Sequence, residues 1–162
     1  MEKQHALQRL EQLQKKLYAI HYACSAMNLD ADTVAPKNTS EGRGVALGVL
    51  AGEEQQLMIC PETRALLDEL DRQKDELDLL HRREVEELRR RCDQLTRIPA
   101  EEYIAYSELV NKAGDVWHKA KEKDDFAMFC PLLQELVEYN RKFAAYYDST
   151  RAPYDALLNE YE

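Results

Sequence analysis

Three histidines in this chain stand three residues after an acid: Glu2 with His5, Asp78 with His81, and Asp115 with His118. On a helix such a pair shares one face. Two inward pairs of that kind, with further glutamates, hold two metal ions in di-metal helical bundles. Direction argues against that use. His5 lies beside the start of an apolar stripe, and His81 and His118 each directly follow an expected core position, Leu80 and Trp117. With 31 acidic residues in 162, such pairs arise by chance. They are read as solvated helix faces, with a di-metal bundle kept as a remote alternative that metal analysis would settle.

Other chemistry is equally sparse. No histidine is followed by glutamate, so the HExxH signature of zinc peptidases is missing. There is no GxSxG, P-loop or GxGxxG, and the stretch "EGRGVALG" follows no strand and has no phosphate-binding lysine. Cysteines stand at 24, 60, 92 and 130, with no CxxC spacing. Cys130 precedes Pro131 near Phe126 and Phe129 and is expected to be a buried structural thiol. The basic run "HRREVEELRRRCDQLTR" could suggest nucleic acid. Glu86 with Arg90 and Glu87 with Arg91 form acid-first i,i+4 pairs, however, so a self-paired solvent face is expected.

The whole-chain balance agrees. Net charge is −9 and the pI about 5.0, which repels phosphate backbones and anionic lipids, so neither nucleic acid nor membrane is an expected partner. No apolar run reaches the roughly 18–20 residues a membrane span needs. The first residues lack the apolar core of a secretory signal. Reduced thiols in the cytoplasm are the simplest expectation.

The elements that must carry these residues are helical. The chain is 44% hydrophobic and 33% charged, with five glycines and five prolines, a balance that favours helices over strands. Leu7, Leu10, Leu13, Leu17, Ile20, Cys24 and Met27 step by three or four and predict a helix over residues 2–28. A long polar loop is expected over 29–40, broken by Pro36, with Ser40 as the cap of a second helix over 41–58. Gly44, Gly48 and Gly52 line one face of that helix, which suits close approach of another helix. Pro61 restarts a helix carrying residues 63–71. The stretch 75–97 follows, with Leu77, Leu80, Val85, Leu88, Cys92 and Leu95 inward. Pro99 opens a helix to about residue 123 with Tyr103, Tyr106, Val110, Ala113 and Trp117 inward. Asp125 caps another to about Ser149, burying Phe129, Leu133, Leu136, Phe143 and Tyr147. The expected fold is all-α: an antiparallel bundle or array of five to seven helices in one domain.

Several stretches then carry a family resemblance. The last is "PYDALLNEYE"; before it comes "TRIPAEEYIAYSELVNKAGDVWHKAKEKDDFAMFCPLLQELVEYNRK", with Arg97-Ile98-Pro99, Ala113 to Trp117, and Asp125 to Pro131 as its marks. Upstream, Asp30, Thr33, Pro36 and Arg43 match a diverged Trp-Asp-Gln-x-Thr-x-x-Pro loop and the helix after it, with Leu29 and Ala31 replacing the aromatic and the amide. Together these resemble the thermostable zinc carboxypeptidases of the Taq type, metallopeptidase family thirty-two. The resemblance implies much longer, almost wholly helical enzymes, commonly homodimeric, that remove amino acids from peptide C-termini. Their zinc or cobalt is held by HExxH and a downstream glutamate, all lying after the region matched here. The matched region implies an N-terminal wall and cover of the substrate cleft. No catalytic or metal-binding family residue can be carried onto this chain.

The expectation is therefore a non-catalytic chain, cut before HExxH, that binds peptides or a partner such as the catalytic half of a carboxypeptidase. The alternative is a helical scaffold that self-associates. Candidate cleft or loop contacts are Asp30, Thr33 and Arg43; the competing reading has Asp30 and Thr33 organising a turn and Arg43 pairing with nearby acids. The segment 152–162, read as leading into the catalytic half, offers Tyr154, Leu157, Leu158 and Tyr161 as a candidate interface.

Overall fold

The computed structural model describes residues 2–36 and 38–158. Tyr161 and the side chain of Glu2, hence the Glu2–His5 pairing, lie outside the described residues. Among the described residues there are seven α-helices and no strand: α1 (Glu2–Thr33), α2 (Ser40–Ile59), α3 (Pro61–Arg72), α4 (Leu79–Arg97), α5 (Ala100–Glu122), α6 (Phe126–Tyr147) and α7 (Pro153–Leu158). A 3₁₀ turn, Lys74–Glu76, precedes α4. The chain divides into two compact units, one of residues up to Asn28 with Glu53–Thr96, the other of Leu29–Gly52 with Arg97 onward.

In the first unit the leucine stripe of α1 is buried as its spacing requires, through Leu10, Leu13 and Leu17. Met58, Leu66, Leu67, Leu70, Val85, Cys92 and Leu95 complete its apolar interior. Pro61 occupies the first turn of α3, where its missing N–H costs nothing. The Thr63 hydroxyl donates to the Leu57 carbonyl at 2.8 Å and ties α3 to the end of α2. Asp78 starts α4: its carboxylate accepts the His81 N–H at 2.9 Å, and the Arg82 N–H reaches the Asp78 carbonyl. That start corrects the expected inner stripe. Leu77, just before the helix, is buried, whereas Leu80 is 67% exposed. The acid-first pairs on α4 also differ from expectation. Arg83 bonds Glu86 and Arg90 bonds Glu87, both three residues apart, and Arg91 turns to Glu54 instead.

In the second unit α1 runs on to Thr33 and α2 begins at Ser40, so the first residues of the expected 29–40 loop are helical. The Thr33 hydroxyl bonds the Leu29 carbonyl within the last turn, and Val34 and Ala35 both donate to the Asp30 carbonyl, closing the helix before Pro36. The first hydrogen bond of α2 runs from the Arg43 N–H to the Thr39 carbonyl, which puts Ser40 inside the first turn instead of at the cap. The glycine row then does what its spacing suggests. Gly44, Gly48 and Gly52 lie against Asn111, Glu108 and Ile104 of α5.

The opposite face of α5 packs on α6. Glu102 meets Lys142 and Tyr146, Tyr106 meets Tyr139 and Phe143, and Leu109 and Ala113 join Leu132. Residue numbers rise on one helix as they fall on the other, so the pair is antiparallel. The turn between them is a Schellman closure, with Asp125 N–H on the Ala120 carbonyl and Asp124 at φ 52°, a left-handed position that aspartate tolerates. Asp125 caps α6 through the Met128 N–H, as expected.

Because α5 is held from two opposite faces, its buried stripe is Leu109, Ala113 and Ala120, and Val110 and Trp117 face out. On α6 the buried residues are Leu132, Phe143 and Ala144, and Leu133 is exposed. Cys130 is exposed rather than buried. In α7 only Ala156 is buried; Leu157 and Leu158 are half-buried and Tyr154 is exposed.

Candidate functional site

The candidate loop residues make separate sets of bonds. Asp30 and Thr33 sit in the last turn of α1, and their hydrogen bonds close that turn. Arg43 projects from α2 onto α5. Its Nε donates to Asn111 Oδ1 at 2.8 Å and its guanidinium Nη2 to Asp115 Oδ1 at 2.7 Å. The Asn111 amide in turn donates to the Ser40 carbonyl at 3.0 Å. The Arg43 side chain is only 10% exposed, so this is a charge-assisted tie between two helices with little room for water.

The tie borders an open depression of about 500 Å³, lined among others by Glu41, Val45, Lys112, Val116 and Lys119. Carboxylate, ammonium and aliphatic groups alternate there, which suits a polar, extended ligand better than a compact apolar one. Arg43→Ala is expected to destabilise the second unit by about 2 kcal/mol, since it deletes charge-assisted bonds and leaves Asp115 and Asn111 short of a donor. Arg43→Lys should recover less than half, because an ammonium cannot serve both acceptors in the fork geometry. Chemical denaturation of the three proteins checks both.

The acid–histidine pairs are used separately. Asp78 and His81 form an exposed helix start, with His81 Nδ1 2.7 Å from Asp78 Oδ2. The bonds from the His81 backbone and ring hold the Asp78 carboxyl below its usual range. Asp115 is engaged by Arg43, and His118 lies 3.4 Å from Asp32. Among the described residues no group of three histidine, cysteine or acidic side chains is placed to share a metal ion.

Sequence spacing missed a second cluster, in the first unit. Glu54 of α2 is almost completely buried, and Arg91 of α4 donates to its Oε1. His21 Nε2 of α1 lies 2.9 Å from the same oxygen. Next to it in the interior, Gln55 donates to the Leu95 carbonyl at 3.1 Å. Cys24 follows His21 by one helical turn, so cysteine, histidine and glutamate fall in the order of a thiol nucleophile with its base. The electrostatics run the other way. Burial first, and the Glu54 carboxylate second, push the Cys24 thiol up, whereas a reactive thiolate needs positive surroundings. Burial likewise pushes up Cys92. The cluster is a part-buried set of contacts on Glu54 that joins three helices.

The family described as Carboxypeptidase Taq (M32) metallopeptidase matches residues 9–162. Carboxypeptidase 1 of Bacillus subtilis (strain 168) is 35% identical over 144 residues, covering 88% of this chain and 29% of that protein. Thermostable carboxypeptidase 1 of Pyrococcus furiosus is 31% identical over 148 residues, covering 91% of this chain and 30% of that one. A solved structure described as "BsuCP Crystal Structure" matches with a TM-score of 0.91 at 32% identity, over 96% of this chain and 31% of the other. The chain therefore spans about 30% of the length of the curated relatives it matches. With sequence and backbone agreeing over nearly its whole length, this chain belongs to the Carboxypeptidase Taq (M32) metallopeptidase family.

Proposed function

We propose that this chain supplies the non-catalytic, helical part of a metallocarboxypeptidase, contributing to peptide or partner binding and not cleaving peptides by itself. The observation that carries the reading is a pairing of two facts. The family match runs from residue 9 to 162, yet none of the four histidines, His5, His21, His81 and His118, is followed by glutamate. A catalytic zinc needs three protein ligands, an open position and a base for its water. When bound in a longer family member, zinc or cobalt would supply Lewis acidity and an activated water. The described residues do not fit that ion: no three histidine, cysteine or acidic side chains are grouped among them, and Asp78 with His81, Asp115 with Arg43 and Asp32 with His118 are engaged in separate pairs. No step of hydrolysis is therefore assigned to a side chain of this chain.

Its own residues would act by position. The Arg43 tie fixes α2 against α5, and the neighbouring depression offers Lys112 and Lys119 beside Glu41 to the charged ends and amides of a peptide. Four unbridged cysteines agree with a reducing compartment such as the cytoplasm. No helix among the described residues is long and apolar enough to cross a membrane.

The test is release of C-terminal amino acids from peptides by the pure chain, with Zn²⁺ or Co²⁺ added. No turnover above the metal-only control is expected. Robust, chelator-sensitive turnover overturns the non-catalytic reading.

A second reading, a self-associating helical scaffold, is favoured by the exposed apolar side chains of the second unit, Tyr154 among them. Sedimentation decides it: a chain that stays monomeric at high concentration removes this reading.

A further inference from the structure

We draw no further inference here: the strongest candidate, the open cavity of about 750 Å³ between α1 and the start of α3 with Arg9, Lys16 and Cys60 in its wall, rests on a helix N-terminus and a lone cysteine, with nothing beside them that points to a ligand.

Discussion

Replacing Gly48 by valine is expected to destabilise the second unit by about 2–3 kcal/mol, the cost of overpacking a close helix contact. A Cβ at this position would meet Glu108 Oε1 at 2.9 Å, Glu108 Cγ at 3.0 Å and Ile104 Cγ2 at 3.3 Å. The Glu108 carboxylate is the far end of a flexible side chain and can swing away. Glu108 Cγ and Ile104 Cγ2 sit close to the α5 backbone and cannot retreat without moving the helix. Alanine should be nearly neutral, because its helix propensity, better than glycine's by about 1 kcal/mol, offsets the strain. Valine adds two methyl groups where even one carbon is tight. Gly114→Ala is the control: it meets open space and should stabilise α5 by about 0.5–1 kcal/mol. Denaturant midpoints for the four proteins check the order. A Gly48→Val protein as stable as the parent would mean that α2 and α5 do not meet this closely.

Leu70→Ala should cost the first unit more, about 3–4 kcal/mol. Leu70 is fully buried near the end of α3, in an interior that also contains Leu10, Met58 and Leu67. Truncation loses the transfer free energy of three carbons and leaves a cavity. Its neighbours come from several helices and cannot all collapse into it. Leu80→Ala, on the same chain but two-thirds exposed, should change stability by less than about 0.5 kcal/mol. Thermal unfolding followed by ellipticity compares them. Equal losses at the two positions would contradict the placement of α3 and the start of α4.

The particular residues show what the sequence alone could establish. Helices α1, α3 and α6 were legible because periodic leucines, a proline at the start of α3 and an aspartate cap before α6 are all local signals. The class of fold followed from them. Facing was harder where a helix has two neighbours. On α5, apolar residues occupy more than half the circumference, and spacing chose Val110 and Trp117 as readily as Leu109 and Ala113. Only the glycine row of α2, which claims the opposite face, fixes the rotation. On α6 the same ambiguity exchanged Leu133 for Leu132 and put Cys130 on the wrong side.

Ties between distant residues left no trace at all in spacing. Arg43 reaches Asn111 and Asp115 across 68 and 72 residues. Glu54, in the polar run "GEEQQ", reads as a solvent face until Arg91 and His21 are placed around it. Arg91 also explains why the expected pairing with Glu87 gave way. A partner held inside the protein, where charge is poorly solvated, outcompetes one on the same exposed helix face.

Trp117 is the only tryptophan in the chain. It lies half-exposed on α5, with the Lys121 ammonium 5.0 Å from its ring centre. Tryptophan emission therefore speaks for the second unit alone, whereas ellipticity averages helices from both. A denaturation curve recorded by either signal alone would look like that of a simple protein. Recorded together, the two become a measure of whether α1 and α2, each shared between the units, make the chain melt as one body or as two.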